Sequence, residues 1–374
     1  MLHVITAFQL GGAERVAIDL AVQHARWGLH PAVIAVRNPR KADDPIGQNF
    51  RELLQENRIP FTAIGDSDFR RDLVKLPFRL AKAIDRYSPD LVHSHTDVPD
   101  FVVSGARRLR SFRTVRTIHS TSLWGTHWVG GFLTEQGLRD DLIIGVSDAS
   151  LTSYRNLRQR YGLSPSSFQH VIRSGVRIRP AEEIQQLKRL HRRDNNLRIA
   201  FFGRWDTHKG LDVLIKAFST WRGDPLPVEL SIFSDAVYDE CFMRQVTSLP
   251  CTLYLSPPVP NASDLMAQFD LVIVPSRVEG LGLVALEALA AQTPVVASQI
   301  SGLREVLPPN WPLLFPVDDA EALRNMILAV LHGQYDLGKL GEVGYTHASQ
   351  YSIDAFSRKY LDCYLDYLAA DKNG

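Results

Sequence analysis

Short apolar runs recur along the whole chain. Each is bounded by glycine, proline or polar residues, and most are followed by a longer stretch with apolar positions at helical spacing. Seven runs occupy the first half: LHVITAF, PAVIAVR, FTAIG, LVHSH, TVRTIH, LIIGVS and HVIRSG. Six occupy the second: LRIAFFG, VELSIFS, CTLYLSP, LVIVPS, TPVVAS and LLFPV. Runs that are largely continuous in apolar character, separated by helices, predict parallel sheets covered on both faces. Two such sets predict two Rossmann-like halves. Between them, the basic segment IRPAEEIQQLKRLHRRDNN (178–196) has no strand pattern and reads as a linker carrying one helix. The expected domains are 1–175 and 176–350. In the tail 351–374, Phe356, Tyr360, Leu361, Tyr364, Tyr367 and Leu368 fall near helical spacing and predict a last helix.

The length, 374 residues, exceeds one ordinary core and agrees with two domains. Charged and apolar fractions of 22% and 45% are those of a globular protein. The net charge of +1 hides an asymmetry. Residues 1–175 hold 23 Lys and Arg against 17 Asp and Glu, whereas the remainder holds 19 against 24. The first half is therefore the one suited to an anionic surface. Three cysteines without metal-ligand spacing fit a reducing compartment. No leader precedes the first apolar run, and no run approaches the roughly 20 residues of a membrane span. A cytoplasmic location is expected, with attachment to the inner face of the cytoplasmic membrane left open.

In open parallel sheets, ligands bind beyond the carboxyl ends of the strands. The polar residues at those ends are Gly11 and Gly12, opening a helix, then His93, His95 and His119, then Arg204 and Lys209, Ser234, and finally Ser276, Arg277 and Glu279. A glycine pair lets backbone approach a ligand, but tight turns need glycine too. Arg204 and Lys209 precede a helix, where cations are unfavourable unless an anion lies between them; a solvated basic turn is the other reading. The stretch LVIVPSRVEGLGLVALEALAAQTPVVAS (271–298) reads as strand, loop, helix and strand. The helix N-terminus after Gly282 offers free N–H groups, from Gly280 through Leu283, for an anion. Glu287 lies one turn on, about 6 Å beyond Leu283, within reach of a ribose attached to such an anion.

The spacing Glu279-x7-Glu287 in this unit resembles the signature of the GT-B glycosyltransferases, most closely retaining family 4. GRWDTHKGLDVLIKAF resembles the family's G-R-x4-K-G stretch, and TVRTIHST its strand ending in Thr-x-His. The resemblance implies an α/β GT-B fold, with two Rossmann-like domains whose parallel sheets face each other across a cleft. It implies a last helix that packs back on the first domain. It implies a nucleotide-diphosphate sugar held mainly by the second domain, and a glycan or lipid-linked acceptor on the first, in surface polysaccharide or lipopolysaccharide synthesis. By the same resemblance Arg204 and Lys209 hold the diphosphate, Glu279 contacts the sugar, Glu287 the ribose and His119 the reacting centre. Gly11 and Gly12 lie beside the donor, Glu305 is structural, and neither cofactor nor metal is required. The competing readings are a sugar-nucleotide epimerase or hydrolase of the same fold, and a non-catalytic nucleotide-sugar-binding subunit. Departures from the family pattern are Leu281 for an aromatic, Gln292 for a glycine of left-handed conformation, Ser174-Gly175-Val176-Arg177 at the boundary, and Ser301-Gly302 for a glycine pair.

Other signals lead elsewhere. Gly280-x-Gly282-x-x-Ala285 lacks the strand spacing and the distal acid of a dinucleotide site. Asp66 and Asp68 read as a turn. His93 and His95 show no third metal ligand and are expected to line the cleft wall. The basic segments 69–87 and 106–116 are either solvated faces or contacts for anionic lipid. They lack the stacking aromatics of a nucleic-acid surface.

Overall fold

The apolar runs become thirteen strands among the residues described in this computed structural model, which are 1–39, 44–66, 72–124, 128–139, 141–191, 196–221 and 225–370. Asp68, residues 69–71 of the first basic segment and residues 192–195 of the linker lie outside the described residues.

The chain divides into two compact units, Met1–Gly175 with Ile353–Gly374, and Val176–Ser352. The first unit contains β1 (Leu2–Ile5), β2 (Ala32–Ala35), β3 (Phe61–Ala63), β4 (Leu91–His95), β5 (Arg113–Ile118), β6 (Leu142–Gly145) and β7 (Gln169–Val171). They pair in parallel in the order β3-β2-β1-β4-β5-β6-β7. The second unit contains β8 (Leu197–Phe202), β9 (Val228–Phe233), β10 (Thr252–Ser256), β11 (Leu271–Val274), β12 (Val295–Ser298) and β13 (Leu314–Phe315), in the order β10-β9-β8-β11-β12-β13, again all parallel. Both orders are those of a doubly wound sheet. The direction of winding reverses between β1 and β4 and between β8 and β11, and such reversals open a crevice at the carboxyl ends of the strands.

Strands β1, β4, β11 and β12 are buried at every position, which is why they read as largely unbroken apolar runs rather than alternating ones. The Ile353–Ala370 helix belongs to the first core. Its Phe356, Tyr360 and Tyr364 pack with Leu20, Val115 and Ile144. The Tyr364 hydroxyl and His93 Nδ1 are hydrogen-bonded at 2.7 Å, and Arg113 donates to the Tyr367 and Leu368 carbonyls at the helix end.

The first unit also buries charge. Arg116, on β5, lies between Asp100 (2.9 Å) and Glu135 (2.7 Å), and Glu135 is approached by Arg158 as well. All four groups are nearly fully enclosed, so removing one partner would strand the others. This network bears on the two readings of 106–116, a solvated face or a lipid contact. Arg107 pairs with Asp141, Arg110 with Asp85, Arg113 caps the last helix and Arg116 is interior, which leaves little of that segment's charge for a lipid surface.

Candidate active site

In the second unit the site grows from the loops after β8 and β11, the two strands at the winding reversal. After β8 the chain makes a short 3-10 turn, Thr207–Lys209, capped by the Asp206 carboxylate accepting from His208 N–H. Gly210 follows with φ +66°, and a Cβ there would stand 2.0 Å from the Pro275 carbonyl oxygen. Only glycine lets this turn press against the end of β11 in a left-handed conformation. The turn is then bolted in place. Arg277 N–H donates to the His208 carbonyl, and its guanidinium binds the Thr207 carbonyl, Asp212 and Asp318.

The result brings Lys209, Ser276 and Glu279 together. Lys209 Nζ is 2.7 Å from Glu279 Oε1, and Ser276 Oγ donates to the same oxygen at 2.8 Å. The Glu279 side chain is 12% exposed and Lys209 24%, so the pair is shielded yet reachable. Arg204 sits at the mouth of the same loop, half exposed and 3.3 Å from Asp206. Gly280 and Leu281 are buried. Gly282, at φ +77°, opens the Leu283–Ala290 helix, whose first turn has no side-chain cap; Ala285 N–H already donates to the Gly282 carbonyl, so the N–H groups suited to an anion are those that precede it. Gly302 lets a short helix approach to where a Cβ would be 2.3 Å from the Glu279 carbonyl oxygen. Glu287, on the second turn of the Leu283–Ala290 helix, borders a narrow groove with Arg177, Arg179 and Ser263.

In the first unit the ends of β1, β4 and β5 converge. Thr6 and Thr96 hydroxyls meet at 3.0 Å, and Thr96 holds φ +81°, a conformation rare for a β-branched residue and characteristic of strained functional loops. Beside it lies a cavity of about 240 Å³ lined by Thr96, Asp97, Thr117, His119, Ser120 and Leu123. Burial pushes the His119 imidazole down to about 3, so it is neutral at physiological pH. Burial pushes Asp97 up to about 6, although Trp124 N–H donates to its carboxylate at 2.9 Å. Gly12 faces open space. A Cβ at Gly11 would stand 2.0 Å from Glu14 Oε2, the movable end of a side chain, so that contact alone does not demand glycine.

His93 and His95 do not line a cleft wall. They point from the central strand into the core, where both are fully buried. His93 is held by Tyr364 and by the Thr117 hydroxyl at 2.7 Å. A third imidazole, His3, joins them because β1 pairs with β4 so that His3 lies beside His93. The three rings bring ligand atoms within 4.8 Å of one another. The sole sequence signal for His3 is a polar residue inside an otherwise apolar strand.

Two family profiles match consecutive parts of the chain. The one described as Glycosyltransferase Family 4 covers residues 10–179, and the one described as Glycosyl transferases group 1 covers 196–333. The chain belongs to the GT-B glycosyltransferases. Among known glycosyltransferases, D-inositol 3-phosphate glycosyltransferase of Rhodococcus jostii is 26% identical over 320 residues, spanning 78% of this chain and 70% of that protein. The phosphatidylinositol N-acetylglucosaminyltransferase GPI3 subunit of Saccharomyces cerevisiae is 28% identical over 315 residues, spanning 80% and 67%. Anabaena HepE, solved in complex with UDP-glucose, superposes with a TM-score of 0.79 at 21% identity over 98% of this chain and 99% of its own. As a GT-B glycosyltransferase, the chain carries both winding reversals of the fold, with Lys209 and Glu279 at one and His119 beside the other.

Proposed function

We propose that the enzyme transfers a hexosyl group from a nucleotide-diphosphate sugar to a glycan or lipid-linked acceptor, with retention of anomeric configuration. The observation that carries this reading is the Lys209–Glu279–Ser276 cluster at the β8/β11 reversal, with Arg204 beside it. In the free enzyme Glu279 holds Lys209 in place. A donor diphosphate entering the loop meets Lys209, Arg204 and the N–H groups from Gly280 to Leu283. Negative charge grows on the departing diphosphate in the transition state, and fixed cations aimed at it lower the barrier more than they tighten the ground state. Glu279, relieved of part of its pairing, accepts hydrogen bonds from sugar hydroxyls. Glu287 receives the ribose hydroxyls further down the helix. His119 stands beside the transferred sugar as a neutral hydrogen-bonding group. Protein cations do the work that a divalent ion does in other transferases, so no metal or cofactor is needed. HepE, a solved structure of this fold, holds UDP-glucose, which supports a nucleotide-sugar donor.

Turnover of donor with and without acceptor tests the assignment. Lys209→Ala and Glu279→Ala are each expected to cut turnover by roughly a hundredfold, the scale for losing one charge-stabilising group, while the fold persists. Activity is expected to survive excess chelator. Wild-type turnover in either variant would refute the roles of Lys209 and Glu279, and loss of activity in chelator would refute metal independence.

The acceptor reading extends to a membrane surface, in the cytoplasm, during assembly of surface polysaccharide or lipopolysaccharide. Among the described residues no helix is long and apolar enough to cross a bilayer. Val74 and Phe78 are exposed beside the exposed cations Lys75, Lys82 and Arg86, on and just before the Leu76–Tyr87 helix. Trp128, Val129 and Leu133 are exposed on the Trp128–Gly137 helix, and the Asp97–Arg107 helix packs against both. Apolar groups interleaved with cations suit an anionic headgroup layer. The enzyme is expected to float with phosphatidylglycerol vesicles at low salt and to be released by salt or by Trp128→Ser with Phe78→Ser. Equal binding to neutral vesicles would remove the electrostatic basis.

A further inference from the structure

The buried histidines form a continuous hydrogen-bonded row. His119 Nε2 is 3.2 Å from His95 Nδ1, and His95 Nε2 is 3.2 Å from His3 Nδ1. The row starts at the His119 cavity and ends in the core at His3 Nε2, which has no partner among the described residues. Burial lowers the proton affinity of all three rings, so each is neutral and carries a single N–H.

One N–H per ring leaves two self-consistent arrangements. In the first, each ring donates from Nε2 toward the core, and the row ends in an N–H at His3 with nothing to accept it. In the second, each ring donates from Nδ1 toward the cavity, and the row ends in a bare lone pair. A buried N–H without an acceptor is the rarer orphan in folded proteins, whereas an under-used acceptor is better tolerated. The second arrangement also gives His119 an Nδ1–H on the side away from its partner in the row.

We propose that His3 and His95 are positioning residues that lock His119 as its Nδ1–H tautomer, so that it enters the donor-sugar site as a fixed neutral hydrogen-bond donor. The consequence for turnover rests on the role proposed for His119 beside the transferred sugar; the tautomer itself does not. A metal held by His3, His93 and His95 is the competing use of this cluster. It is disfavoured because both nitrogens of His93 already engage hydroxyls and, among the described residues, no carboxylate joins the cluster to offset a buried dication.

Two-bond 1H–15N spectra of the histidine-labelled enzyme, taken at pH 7 without donor, read the tautomers directly. Protonated Nδ1 is expected for His3, His95 and His119, the inverse of the preference of histidine in water. His3→Phe is expected to release His119 to Nε2–H or a mixture of tautomers and to lower kcat about five- to tenfold. His3→Asn, whose amide N–H falls where Nδ1 was, is expected to restore both the Nδ1–H signal and kcat to within about twofold. An Nε2–H or doubly protonated His119 in the parent enzyme overturns the proposal, as does loss of the Nδ1 protons on stoichiometric binding of zinc. Since the parent spectrum decides the tautomer, a poorly folding variant does not leave the question open. Correct tautomers with unchanged kcat in His119→Phe would instead refute the catalytic placement of His119.

Discussion

At the scale of single residues, burial determines which groups carry charge. Asp97 is an example with a measurable consequence. Its folded pKa of about 6 lies above the ordinary 3.8, because the site desolvates the carboxylate. The fold therefore favours the protonated form. The stabilisation is full below about pH 4 and is lost as pH rises through about 6. Asp97→Asn keeps an acceptor for the Trp124 N–H without the charge. It is expected to be more stable than the parent at pH 7.5, by up to about 3 kcal/mol, and nearly equal to it at pH 4. Thermal melts at the two pH values check this, and a stability difference that does not grow with pH would contradict it. Gln292 shows the opposite kind of strain. It occupies φ +55°, the left-handed conformation, at the position where the family resemblance implies a glycine, at a cost of order 1 kcal/mol. It is held there by Gln185 on its amide and Lys188 on its carbonyl.

At the scale of elements, the strand-to-helix turns decide how precisely the site is built. Gly210→Ala would add a Cβ against the Pro275 carbonyl in a left-handed residue. The turn would have to move, carrying Lys209 away from Glu279. A loss of about 2 kcal/mol or more in stability is expected, along with a fall in turnover. A structure of the variant in which the 2.7 Å Lys209–Glu279 contact survives unchanged would contradict this account. All thirteen runs became strands; the inner ones were legible because burial on both faces writes itself as uninterrupted apolar runs, and the partly exposed edge strands β3, β7 and β10 through their place between helical stretches. The turn carrying Lys209 was legible through the two cations placed before a helix and through its resemblance to the family's G-R-x4-K-G stretch. What could not be read were pairings set by register or by long separation. His3 meets His93 and His95 only because of how β1 lies on β4. Arg116 looks like part of a basic surface until Asp100 and Glu135 enclose it. Arg277 looked like a ligand group, but its partners Asp212 and Asp318 make it a clamp.

At the scale of the whole molecule, the first unit is completed by the last helix. A chain ending at Ser352 would lose Phe356, Tyr360 and Tyr364 from the core, along with the hydroxyl that holds His93. At about 1.5–3 kcal/mol for each buried large side chain, the loss rivals the stability of an ordinary domain. The truncated protein is expected to lose the cooperative melt of the first unit, and a parent-like calorimetric trace would contradict that.

The return of the chain to its first core makes residues 176–352 an insert whose two ends are neighbours. Val176 N–H donates to the Tyr351 carbonyl at 2.7 Å, and Val176 bridges Ser352. A module with adjacent ends can be cut out and replaced by another without redrawing its host. On the donor assignment proposed above, donor preference should therefore be exchangeable as a cassette, spliced at Gly175 and Ile353, with the first core and its closing helix left as they are.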